Sequence, residues 1–191
     1  ERFGLFDEHS VLAHCIDLTE SDIATMVARG CAAAYTPSSL MAVFGYCPAP
    51  ALLAAGLRVG LGTDGPAPDR SLDLFRTMFM AHRHQAIRWR DPSAIDAWTI
   101  LEMATRGGAA ALGLGDSLGS IEPGKRADLV VVSIRSAHLH PADLPVERLV
   151  FFVMVDGRLL LRDRAPVTME AGAVLDRAGA AYALMKERAG I

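Results

Sequence analysis

A carboxylate and an imidazole, side chains of types that do chemistry, each stand at the end of an apolar run in this chain. In "GLRVGLGTDG", residues 56–65, the run from Leu57 to Leu61 ends in Gly62-Thr63 and then in a carboxylate, Asp64. In "SVLAH", residues 10–14, a shorter run ends in an imidazole, His14. A third run, "CAAAY", closes on Tyr35. Parallel α/β folds bind ligands beyond the carboxyl ends of their strands, so all three are candidate site positions. A carboxylate between Gly62 and Gly65 suits metal ligation or proton abstraction, and it equally suits the N-cap of a following helix. A lone histidine at a strand end is also a common hydrogen-bonded structural residue. Taken together on strands of one sheet, an imidazole and a carboxylate are what metal-assisted hydrolysis needs.

The elements around these residues alternate. "LTESDIATMVARG" carries a helix signal, with Thr19 as N-cap, Asp22 in the place of the usual capping glutamate, and Gly30 as the stop. "APALLAAG" reads as a short helix opened by proline. "SLDLFRTMFMAHRHQAI" is amphipathic, with Leu72, Phe75, Met78 and Phe79 as its expected buried face. "SAIDAWTILEMATRGGAAALG" reads as one long helix capped by Ser93 and ended by Gly113. Strand and helix in alternation argue for parallel βα units. A closed (β/α)8 barrel needs roughly 200 residues or more, so these units fit the last part of a barrel or part of an open doubly wound sheet. From Leu118 the pattern changes. "LGSIEPGKRADLVVV" reads as strand, Pro-Gly turn and strand, "FFVMVDGRLLLRDR" as a hairpin around Asp156-Gly157, and Met169 to Arg188 as a terminal helix.

Composition narrows the function classes. The chain has 191 residues, 51% of them hydrophobic, and a formal net charge of −3. That balance fits a globular protein with a substantial core and gives no electrostatic reason to expect nucleic acid or an anionic membrane as partner. Cys15, Cys31 and Cys47 show no CxxC spacing, so neither a disulfide framework nor a zinc ribbon is indicated and a reducing cytoplasm is expected. No apolar run is long enough to span a bilayer. The first residues lack an initiator methionine and enter a strand almost at once, as in the interior of a longer polypeptide.

The segments "LAHCIDLTESDI", "YTPSSLM", "GLRVGLGTDGPAPDRSLDLF", "LGSIEPGKRADLVVV" and "VMVDGR" occur in the order seen in the amidohydrolase superfamily. The chain most resembles the branch of aminohydrolases and chlorohydrolases that act on nitrogen heterocycles. The resemblance implies an α/β fold, the C-terminal part of a (β/α)8 TIM-like barrel plus a small β-sandwich element. Residues 1–115 would be the last βα units of the barrel, 116–168 the β-sandwich element and 169–191 a C-terminal helix. It implies a divalent metal, zinc in first place and iron in second, and a heterocyclic small-molecule substrate. Asp64 then matches the strand-end aspartate that ligates the metal and serves as base, and His14 matches the histidine that orients the attacking water or polarises the scissile group. Tyr35 stands where relatives often carry a histidine, which makes it a candidate substrate contact. Ser38 and Ser39 follow the same strand and can line the substrate pocket or simply form a turn. A homodimer is compatible with the resemblance and with the apolar composition.

The sequence also departs from that family. The HxH pair of the first barrel strand and the histidine of the fifth are absent. His82 and His84 form an HxH within an expected helix, where residues two apart point in different directions, so they are read as solvent-facing or structural. His138 and His140 are read as loop residues, with the alternative that an HxH on a strand puts both rings on one face, able to bind a metal, and His9 lies at the wrong end of its strand for catalysis. Phe152 runs into Val153 without the polar turn relatives carry. Cys15, Trp89 and Trp98 are expected to pack, and Lys125 and Arg126 to be solvated in a hairpin turn. The expected activity is metal-dependent removal of an amino group from a nitrogen heterocycle. The alternatives are a non-catalytic module lacking the remaining metal ligands, and a chlorohydrolase or cyclic amidase of the same superfamily.

Overall fold

The computed structural model describes residues 4–43, 45–67, 72–130, 132, 144–150, 161–162, 165–166 and 171–189. They belong to two compact units, Glu1–Leu129 and Val130–Ile191.

The first unit is built on a three-stranded parallel sheet in the order β1 (Val11–Ala13), β2 (Ala32–Tyr35), β3 (Arg58–Leu61). Between β1 and β2 runs α1 (Glu20–Ala28). Its expected capping box is complete: the Asp22 amide donates to the Thr19 hydroxyl, and the Thr19 amide donates to the Asp22 carboxylate. Between β2 and β3 lie α2 (Pro37–Ala42) and α3 (Ala49–Ala54). Ala32, Ala33 and Tyr35 of the middle strand are fully buried, and their mostly small side chains let neighbouring layers close over the sheet.

After β3 comes α4 (Leu74–Trp89), capped by the Asp73 carboxylate, which accepts from the Phe75 and Arg76 amides. Its buried stripe is Thr77, Met78, Ala81, His82 and Gln85, a run of i, i+3, i+4 and i+7 from Met78. Of the expected stripe Met78 is buried and Phe79 half-buried, while Leu72 and Phe75 are exposed; Thr77, Ala81, His82 and Gln85 complete the buried face.

The single long helix expected after Ser93 is two helices, α5 (Ala97–Ala104) and α6 (Arg106–Ala111), broken at Thr105 with φ −124° and ψ −100°. The cap is Asp96, which accepts from the Thr99 amide, while Ser93 bonds Asp91 instead. The break lets α6 lie against β3 at glycine distance. A Cβ on Gly107 would come 2.8 Å from the Val59 carbonyl oxygen, and one on Gly60 would come 3.1 Å from the Gly108 Cα. Residues 114–130 form turns and irregular chain rather than the expected strand, turn and strand. Lys125 is not solvated there. Its ammonium donates to the Gly115 carbonyl at 2.7 Å and the Ser120 hydroxyl at 2.8 Å, closing the loop on itself.

In the second unit the described elements are α7 (Pro145–Val150), a two-residue antiparallel ladder of β4 (Leu161–Arg162) and β5 (Ala165–Pro166), and α8 (Ala171–Ala189), where a terminal helix is expected. The hairpin at Asp156-Gly157, the junction at Phe152 and both His138 and His140 lie outside the described residues. No described helix is long and apolar enough to cross a membrane.

Candidate active site

The parallel register places the carboxyl ends of all three strands together. The ladder continues one residue past each: the His14 amide donates to the Ala34 carbonyl at 3.0 Å, and the Gly62 amide donates to the Tyr35 carbonyl at 2.9 Å. His14 and Asp64 therefore stand on either side of the end of β2. Strands two apart are separated by about 9.5 Å, so the two side chains must lean across the middle strand to meet. They do: His14 Nε2 lies 3.8 Å from Asp64 Oδ2, with the side chains 38% and 36% exposed. That is ion-pair range and longer than a hydrogen bond.

The backbone at both residues is in the left-handed region, φ +69° at His14 and +61° at Asp64, and the chain after His14 repeats this at Cys15 and Asp17. A non-glycine residue held there costs roughly 1–3 kcal/mol, and such strain concentrates at functional sites.

The short segment after β2 holds both members of the pair. The Thr36 hydroxyl, buried, is 2.7 Å from His14 Nδ1. The Ser39 hydroxyl, also buried, hydrogen-bonds the Asp64 carboxylate, and the Gly65 amide donates to Asp64 Oδ1 at 2.7 Å. These two bonds, Ser39 first, hold the Asp64 carboxyl below its ordinary value of 3.8, with the His14 imidazole adding a smaller pull. Asp64 is thus an ionised acceptor, and its expected alternative as a helix N-cap is not what its side chain does: the next helix is capped by Asp73.

Of the other candidates, Ser39 belongs to the site through Asp64, and Ser38 is turned away, donating to the Thr63 carbonyl at 3.2 Å. Tyr35, expected as a substrate contact, is fully buried instead. Its hydroxyl lies 2.8 Å from His84 Nδ1 and accepts from Gln85 Nε2 at 3.0 Å. Adjacent residues of an extended chain leave it on opposite sides, so Tyr35 enters the layer of α4 while Thr36 faces His14. His82 and His84 diverge as their spacing requires. His82 Nε2 bonds the Pro92 carbonyl at 2.9 Å, and His84 Nε2 bonds the Gly45 carbonyl at 3.2 Å. Thr36 was missed by sequence reasoning. Its position one residue beyond the middle strand, between the strand ends that carry His14 and Asp64, was the available signal. Cys15 is buried as expected, and desolvation pushes its thiol up to about 11.

One carboxylate and one imidazole are donors that suit zinc or another borderline divalent cation. A catalytic zinc centre takes three protein ligands, and no group of three or more histidine, cysteine, aspartate or glutamate side chains able to hold an ion occurs among the described residues. The donor types fit a metal, and the set is partial.

Known proteins resemble this chain. Residues 1–160 match the profile of the amidohydrolase family. The chain is 40% identical over 187 residues to the 5-methylthioadenosine/S-adenosylhomocysteine deaminase of Desulforudis audaxviator, covering 93% of this chain and 44% of that protein. It is 36% identical over 192 residues to the 5'-deoxyadenosine deaminase of Methanothermobacter thermautotrophicus, covering 96% and 44%. Among solved structures, an adenosine deaminase from Xanthomonas campestris with bound zinc aligns with TM-score 0.76 and 34% identity over 93% of this chain and 42% of the other. A mutant atrazine chlorohydrolase of Arthrobacter aurescens, complexed with zinc and atraton, aligns with TM-score 0.73 and 25% identity over 94% and 42%. The chain spans less than half the length of each of these relatives.

Proposed function

The chain belongs to the amidohydrolase family, and from that premise we propose that it carries the His14–Asp64 part of the active site of a metal-dependent deaminase acting on adenosine-type heterocycles. The observation that carries this reading is the approach of an imidazole and an ionised carboxylate across the end of a parallel sheet, 3.8 Å apart.

Asp64 would be a ligand of the metal, zinc by analogy with the zinc-containing relatives, and the remaining ligands would come from the part of the longer protein that this chain does not include. A divalent cation bound there supplies Lewis acidity and lowers the pKa of a coordinated water from 15.7 to about 7. Asp64, ionised and partly exposed, accepts a proton from the attacking water and returns it to the departing nitrogen. Water oxygen bonds to the ring carbon, the carbon–nitrogen bond breaks, and ammonia leaves with the proton that Asp64 returned. His14, with a ring nitrogen facing the same point, donates a hydrogen bond to oxygen as negative charge gathers on it.

Deamination is preferred to dechlorination because the deaminases match at 36–40% identity and the chlorohydrolase at 25%. The test is Asp64→Asn in the full-length protein, with ammonia release from 5'-modified adenosines and zinc content measured together. Turnover should fall about 10²–10⁴-fold, with loss of zinc. A variant that keeps both its metal and its rate ends the reading, and release of chloride from triazines without ammonia from adenosines redirects it.

A further inference from the structure

Thr36 occupies the N-cap position of α2, where a threonine hydroxyl ordinarily accepts from the backbone amides of the first helical turn. It does not do so here: its side chain makes no capping bond. The hydroxyl is buried and points 2.7 Å away, at His14 Nδ1. A hydroxyl withheld from its usual helix role and aimed at a site imidazole has a directional consequence. The other ring nitrogen, Nε2, faces Asp64 Oδ2 at 3.8 Å. An ionised carboxylate only accepts, so the favourable neutral tautomer carries its hydrogen on Nε2. Nδ1 is then the acceptor, and the Thr36 hydroxyl donates to it. Which nitrogen of a histidine bears the proton is set by the hydrogen bond the other one makes.

The geometry points to Thr36 as the residue that positions His14, presupposing the hydrolase reading of His14 given above. It pins the ring plane through Nδ1 and keeps the Nε2–H aimed at the ground shared with Asp64. Thr36 is a positioning residue and has no bond to Asp64 of its own; the Asp64 side of the pair is held by Ser39 and Gly65. Loss of the hydroxyl should therefore disturb the imidazole and leave the carboxylate, and so the metal, in place.

The experiment uses the full-length protein as Thr36→Val, which keeps the branched shape and removes the hydroxyl, and as Thr36→Ser, which keeps the hydroxyl. Labelled histidine nitrogens are read by NMR well above the ordinary imidazole pKa of about 6.5, with His14→Gln used to assign the signals. Wild type should show protonated Nε2 and an Nδ1 shifted upfield by an accepted hydrogen bond. Thr36→Val should move Nδ1 downfield and lower kcat about 10–100-fold, with KM within about threefold and zinc content unchanged. Thr36→Ser should restore both the nitrogen signal and kcat. A wild-type His14 protonated on Nδ1 overturns the assignment with no variant needed, even if Thr36→Val fails to fold. So does a Thr36→Val protein with an unmoved nitrogen signal, or a Thr36→Ser protein as impaired as Thr36→Val. A Thr36-dependent nitrogen signal in a protein that deaminates no adenosine supports the positioning contact while sinking the deaminase reading.

Discussion

His14 and His84 lie on either side of the end of β2, and each is held by one of two consecutive residues of that strand end. Thr36 meets His14 and Tyr35 meets His84. The two imidazoles have opposite fates. At His84 both ring nitrogens are occupied. The Gly45 carbonyl accepts from Nε2–H, so Nδ1 is the acceptor and Tyr35 donates to it. Gln85 completes the set, donating to the Tyr35 hydroxyl and the Cys47 carbonyl while its Oε1 accepts from Tyr46. Every polar group there has a structural partner. At His14 one nitrogen is pinned and the other faces a partly exposed carboxylate across 3.8 Å. An imidazole becomes available for chemistry when the fold satisfies half of it and leaves the other half facing solvent and an acceptor.

Exchanging each histidine's function for its shape should break this contrast most visibly at His14. His14→Asn suits the left-handed backbone, since asparagine tolerates that region better than most residues. In the full-length protein we expect turnover to fall about 10²–10⁴-fold while the melting temperature moves by no more than about 4 °C, the upper size of a 1 kcal/mol change in a domain of 150–250 residues. A large loss of stability with little change in rate would make His14 structural and the two histidines alike.

The converse is expected one residue along the strand. Tyr35→Phe keeps the ring and deletes the hydroxyl, so His84 Nδ1 and one Gln85 N–H lose their partner inside the protein. Leaving such groups unsatisfied costs about 1–3 kcal/mol. Chemical denaturation should show that loss, and kcat measured well below the melting temperature should stay within about threefold of wild type. A rate loss exceeding the stability loss would bring Tyr35 back into the site.

The same one-residue offset explains what was legible beforehand. The strand-end rule placed His14 and Asp64 at the carboxyl ends of their strands because it needs only an apolar run and a polar residue after it. The capping box at Thr19 was legible because it is local. Tyr35 and Thr36 were not, since which of two adjacent side chains turns to the site depends on the pleat at the strand end, and the alternation "AAAYT" of small residues gives no apolar/polar pattern to fix it. The buried face of α4 was legible at Met78 and missed elsewhere for a related reason. Leu72 and Phe75 are more apolar than Thr77 and Gln85, but the network beneath Tyr35 requires a polar Gln85 inside, and tertiary demand overrode the hydrophobic pattern. The helix break at Thr105 follows from backbone packing of Gly107 on Val59, a contact distant in sequence.

The smallest expected effect is the most specific to His84. Burial lowers its pKa below the ordinary 6.5, with the Gly45 carbonyl pulling weakly the other way. Between that lowered value and 6.5 the unfolded chain binds more protons than the folded one, so stability falls as pH falls through this window. Above 6.5 the contribution is complete, and below the folded value it stops changing. The magnitude is limited because His84 is only half-buried and because the network has a second setting. A protonated Nδ1 can donate to the Tyr35 hydroxyl, which then turns its own hydrogen to the Ala81 carbonyl, 3.4 Å away. His84→Gln removes the titration, so the difference in unfolding free energy between wild type and variant isolates this group from the other histidines. That difference should shift against the wild type as pH drops below 6.5. A difference that stays level there would mean that protonation of His84 costs the network nothing.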